Sequence, residues 1–169
     1  MAFAVNLVGG GWNWIRSLTG GTGMNQALKT DVDKVLRGVG GYLVDQLRRN
    51  IVSRGSLFGE PFVENAPLTI KIKGHDKPLI DKGDMINAIT YKQIGDMKFM
   101  VGILDQKLAQ RGAFLEVGGM TEINGRHVMV PARPWMGPML VHQGVRQSAK
   151  SLFIAGMANL GHKFREGKL

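Results

Sequence analysis

From Leu28 to Ile51 apolar residues recur at three- and four-residue intervals: Leu28, Val32, Val35, Leu36, Val39, Tyr42, Leu43, Leu47 and Ile51. That period places them on one stripe of an α-helix. Lys29, Lys34, Asp45, Arg48 and Arg49 fall largely between them. The pattern predicts an amphipathic helix over 25–54, closed by Gly55, with an apolar face that needs a packing partner. Gly38, Gly40 and Gly41 interrupt its middle. Each costs about 1 kcal/mol relative to Ala in a helix interior, so they mark a kink or a close approach of another backbone.

The other end of the chain repeats the pattern. After Pro134, the residues Val141, Val145, Ser148, Ala149, Leu152, Phe153, Gly156, Leu160 and Phe164 keep to one face, which predicts a second long helix from Met136 to Glu166. Between the helices the signals are short. Gly59, Pro61, Pro67, Gly74 and Pro78 break residues 55–80 into loops. Within them Leu68–Lys73 alternates apolar and polar, as a short strand or an extended segment would. Asp81 is placed to cap a short helix reaching about Ile89. The runs ITYKQIG and KFMVGIL suit a hairpin, KLAQRGAFLEV a helix ended by Gly118 and Gly119, and RHVMVPA a strand after the turn Asn124-Gly125. The expected class is α+β: two long helices bracketing a small, mostly antiparallel sheet.

Residues 1–23 differ from the rest, and the expected division is an arm over 1–23 and a single domain over 24–169. Six glycines lie between Gly9 and Gly23, around Trp12 and Trp14. Glycine makes such a stretch flexible, whereas exposed tryptophans are costly. Two arrangements satisfy both facts: an arm ordered on a neighbouring subunit or partner, or rings folded back onto the domain. The opening MAFAVNLVGG has no basic start and no convincing cleavage site, so it is not read as a signal peptide. No apolar run approaches the roughly 18 residues of a membrane span.

Lys and Arg number 22 against 13 Asp and Glu, a formal charge of +9. A field of that sign attracts nucleic acid, acidic protein surfaces or anionic membranes. The positive charge is dispersed, and aromatics, at 7%, are too few for the stacking platforms of single-strand binders. With no cysteine, thiolate chemistry, zinc–thiolate sites and disulfides are excluded, which suits a reducing cytoplasm. His75, His127, His142 and His162 are not spaced as metal ligands. Asp76, Asp81 and Asp84 lack the alternating pattern of a calcium loop and read as caps and ion-pair partners. The GGTGMNQ run lacks the Lys-Ser/Thr pair of a phosphate loop. There is no G-x-S-x-G elbow. Glu116 and Glu122 form a formal carboxylate pair without further context. These observations predict neither catalysis nor a cofactor.

Three segments in order carry a resemblance: PLIDKGDMINAITYK (78–92), AFLEVGG (113–119) and VPARPWMGP (130–138). Together they resemble the virion morphogenesis, or tail-completion, proteins of Mu-like and related tailed phages. Lys82, Val117 and Trp135 depart from the residues common in that family, and residues before Met24 lie outside the match. The resemblance implies a structural protein with no catalytic activity or cofactor, found in the virion neck or tail and assembled in the host bacterial cytoplasm. Its implied partners are copies of itself in a six-fold or twelve-fold ring, head–tail connector or adaptor proteins, and tail-tube or terminator proteins. DNA would pass through the channel without sequence recognition, and no membrane is involved. The alternative is a basic DNA-binding protein acting on packaged phage DNA. Trp12, Trp14, Arg133 and Trp135 are the candidate interface residues. Arg133, between Pro131 and Pro134, is suited to a carboxylate, either of a partner or of Glu116 or Glu122 in the same chain. Trp135 would anchor the final helix against the core or a partner.

Overall fold

The computed structural model describes residues 2–6, 26–95, 98–123 and 125–166. These form an α+β fold with six helices and two small antiparallel sheets. Elements are numbered in chain order. The long amphipathic pattern forms α1, Gln26–Val52, without interruption. Leu28, Val32, Leu36, Leu47 and Ile51 are almost wholly buried, as the stripe predicts. Of the two expected roles for these glycines, a kink or a close approach of another backbone, Gly40 shows a close approach of a different kind. It makes room for a side chain, since a Cβ there would lie 2.8 Å from Cγ of Tyr91; Gly38 and Gly41 face nothing within 4 Å.

The second long helix is α6, Gln143–Arg165. It lies against α1 in the opposite direction, with Gly156 over Val35 and Lys163 Nζ 3.6 Å from Asp31 Oδ2. Lys34, 2.6 Å from the same carboxylate, holds Asp31 below the ordinary carboxylate range, and Lys163 adds to the effect. The glycines of the two helices therefore have opposite expected effects. Gly38→Ala removes only the entropic cost of glycine and should stabilise by about 0.5–1 kcal/mol. Gly156→Ala drives a methyl to 2.6 Å from a Val35 methyl, on a stiff β-branched side chain. It should destabilise by about 1–3 kcal/mol. Urea midpoints of the two variants moving in the same direction would contradict this account.

The larger sheet has the order β1-β3-β2, with β1 Ala2–Asn6, β2 Ile89–Gly95 and β3 Lys98–Ile103, all antiparallel. Phe99, Val101 and Ile103 of the central strand are buried. By register they share a face with Gln93, Tyr91 and Ile89. Tyr91 meets Gly40 and Gln93 donates to Asp33 at 2.7 Å, which sets this face on α1. The expected hairpin is present. Ala2–Asn6, at the start of the expected arm, pairs with β3 as an edge strand of this sheet. Residues 7–25, with Trp12 and Trp14, lie outside the described residues.

Three further expectations are corrected. Leu68–Lys73 is helical: α2 spans Pro67–Lys73 and stops at Gly74, which has a left-handed φ of 75°. Proline in the first turn and glycine at the end are helix-boundary signals, and over so few residues they outweigh period-two alternation. The short helix α3 is Asp84–Asn87, and its N-cap is Gly83 rather than Asp81. The final helix is split. The short α5, Gly137–Val141, ends at His142, whose ψ of 117° is extended, and α6 restarts behind it. The Val145 amide donates to His142 Nδ1 at 3.4 Å, a long contact at the new helix start.

Candidate functional site

The helix α4, Gln106–Val117, starts where the Asp105 carboxylate accepts from the Leu108 amide at 2.9 Å, and it ends at Gly118. The chain then turns into a second hairpin, β4 Gly119–Ile123 and β5 Arg126–Val130, with Gly125 at a left-handed φ of 73° before β5. Residues 131–134 return from this hairpin to α5. The outgoing and returning strands therefore meet at one junction, which contains the AFLEVGG and VPARPWMGP segments.

Gly118 has a left-handed φ of 69°, and a Cβ there would fall 2.5 Å from the Ala132 nitrogen and 2.7 Å from the Val130 oxygen. Only glycine lets the two backbones come this close. Beside it the Arg133 amide donates to the Leu115 carbonyl at 2.8 Å. The Glu116 carboxylate accepts three successive amides, from Trp135 at 2.9 Å, Met136 at 3.0 Å and Gly137 at 2.7 Å. Negative charge at the exposed amides of a helix start is the favourable electrostatic arrangement. Trp135 is fully buried and its indole N–H donates to the Gly112 carbonyl at 3.1 Å. From α1, the Asn50 side-chain amide donates to the Trp135 carbonyl at 2.9 Å. The first resembling segment joins from the side: α3 lies against α4, Met85 is buried, and Arg48 donates to the Ile89 carbonyl at 2.9 Å.

Arg133 is also buried, but it pairs with no carboxylate. Its Nε donates to the Val63 carbonyl at 2.8 Å, and Nη2 to the Glu64 carbonyl at 3.0 Å and Asn65 Oδ1 at 3.4 Å. Burial pulls its pKa below the ordinary value. The planar guanidinium thus clamps the loop before α2 to the base of the hairpin. The expected ion pair with Glu116 or Glu122 is corrected: Glu116 is committed to three amides, and Glu122 stands exposed out on β4. The side chains of Arg133 and Trp135 are both buried within the subunit.

What the junction holds up is the exposed surface. No described residue of β4 or β5 is buried, and Met120 and Met129, direct cross-strand partners, are 57% and 65% exposed. Across the Arg133 clamp, α2 also has no buried residue, and Leu68 and Ile72 are 69% and 77% exposed. Sequence reading missed β4 and this surface. The signal was present, as the Asn-Gly turn flanked on both sides by strand-forming residues marks a hairpin.

No family model, curated protein or solved structure matches the chain. Among the described residues no group of three or more His, Asp or Glu could hold a metal ion, and no helix is long and apolar enough to cross a membrane. Asp76 pairs with Arg54 at 2.8 Å, and that guanidinium holds its carboxyl below the usual range.

Proposed function

We propose that this chain is a structural virion protein of a tailed phage, forming a ring in the neck that completes the tail and joins it to the DNA-filled head. The observation that carries the reading is the β4–β5 hairpin. A two-stranded hairpin is at best marginally stable in water by itself, yet this one projects its paired methionines outward from a rigid base. Such an arm belongs to an assembly protein, and the three segments resembling tail-completion proteins build its base and surroundings. Rings of identical subunits close through head-to-tail contacts between two different surfaces. Among the described residues, the hairpin and α2 are two such exposed surfaces.

The test is electron microscopy of particles made without this gene, followed by addition of the purified protein. Separate DNA-filled heads and finished tails that become joined infectious particles on addition are the expected result. Normal joined virions in the absence of the gene, or heads that never fill, would overturn it.

A second reading, a basic protein acting on packaged DNA, is favoured by one feature. Between residues 143 and 165, α6 carries Arg146, Lys150, Lys163 and Arg165 and no carboxylate. That reading requires tight duplex binding with a steep fall of log affinity against log salt, the slope counting neutralised phosphates. A neck ring requires only weak, diffuse affinity.

A further inference from the structure

We infer that the β4–β5 hairpin of one copy seats on α2 of a neighbouring copy, Met120 and Met129 against Leu68 and Ile72, with Glu122 facing Lys71. The inference rests on the ring reading for its head-to-tail geometry, and on the exposed chemistry of the two elements for its partners. In β4–β5, Met120 pairs with Met129 and Glu122 with His127. Alternate strand residues share a face, so both methionines and Glu122 stand on one side of the ribbon. In α2, Leu68 and Ile72 are one helical turn apart, and Lys71 flanks them three residues from Leu68. Each surface is thus an exposed apolar pair beside one exposed charge, and the charges are opposite. Neither Glu122 nor Lys71 has an ion-pair partner among the described residues, whereas Lys73 of α2 donates to the Lys77 carbonyl at 2.7 Å.

Both surfaces are exposed in the same subunit, so they do not cover one another within it. Methionine, unbranched and polarisable, adapts to the ridge of a helix better than a branched residue would. The Arg133 clamp connects the loop before α2 to the hairpin base, so it is a positioning residue for both halves of the contact. One surface donates and a different one receives, as ring closure demands.

Because the chain contains no cysteine, two single variants give a clean test in the full-length protein. Met129→Cys and Ile72→Cys are mixed and treated with a short bis-maleimide. The expected product is a cross-link between the two variants, with little from either variant alone. Cross-linking of Met129→Cys to itself, a link found only within one chain of the double variant, or no link at all overturns the inference. Charge exchange is the second arm. Glu122→Lys and Lys71→Glu should each weaken self-association at least about tenfold in sedimentation, and the double exchange should restore it. Both positions are exposed, so thermal unfolding followed by circular dichroism should be unchanged. Single exchanges that leave association intact, or a wild-type protein that stays monomeric at every concentration, overturn the contact. The two readings fail separately. Wild-type protein that joins heads to tails while the exchanges have no effect sinks only the contact. Cysteine variants that cross-link as expected, together with a wild-type protein that joins nothing, sink only the neck assignment.

Discussion

Gly118→Ala should lower the stability of this protein by about 4 kcal/mol, the largest effect of any single methyl considered. Two causes add. An L-residue held at φ 69° costs about 1–2 kcal/mol. The new methyl would also lie 2.5 Å from the Ala132 nitrogen, 2.7 Å from the Val130 oxygen and 2.9 Å from the Pro131 carbonyl carbon. These are backbone atoms of Pro131 and its two chain neighbours, which cannot swing aside as a flexible side chain can. The strands must separate instead, stretching the 2.8 Å bond from Arg133 to Leu115. Gly74→Ala is the control: its φ is 75°, but nothing lies within 4 Å of the added methyl. It should cost only about 1 kcal/mol. Urea unfolding followed by circular dichroism separates the cases through the midpoint at constant slope. Equal losses in the two variants would show that the close approach at Gly118 contributes nothing beyond its dihedral.

Glu116→Ala should cost about 3 kcal/mol, from the loss of charge-assisted bonds to three amides at the half-buried entry to α5. Water reaching the site offsets part of the loss, so the three bonds do not add in full. Glu116→Gln keeps one oxygen acceptor and the shape, and should cost roughly half as much. The pattern matters more than either value. If Glu116 were a catalytic or partner-facing carboxylate, its removal would leave stability unchanged and alter activity or association alone. A stable Glu116→Ala protein would therefore refute its assignment as the lock of this junction. Both substitutions act on the base of the hairpin, so either one should also weaken self-association if the hairpin is the assembly arm.

Much of the architecture was legible in the residues because it depends on periodicity and local chemistry. The stripe from Leu28 to Ile51, the hairpin of β2 and β3 and the helix ended by Gly118 all follow from spacing and from the conformational limits of particular residues. The errors share a cause. At Leu68–Lys73 two local signals competed, and Pro67 with Gly74 prevailed over alternation. The final helix was read as one because an apolar face persists across His142, where the turn of the chain breaks the helix.

The candidate site was less legible, since it is made of contacts distant in sequence. Glu116 lies 19 residues from Trp135, whose amide it accepts, and Arg133 lies about 70 residues from the carbonyls it holds. A buried arginine between prolines suggests a carboxylate partner from its charge alone. Its actual partners are main-chain carbonyls, which no sequence pattern distinguishes from any others. By itself the sequence determined the α+β class, the two long helices, the turns and the basic charge, because each depends on a residue and its near neighbours. Only the tertiary structure decided that Trp135 and Arg133 face inward, that Ala2–Asn6 joins the sheet, and that Met120, Met129, Leu68 and Ile72 remain in water. Burial is set by which surfaces meet across the whole chain, and a local pattern says what a face is made of but not what covers it.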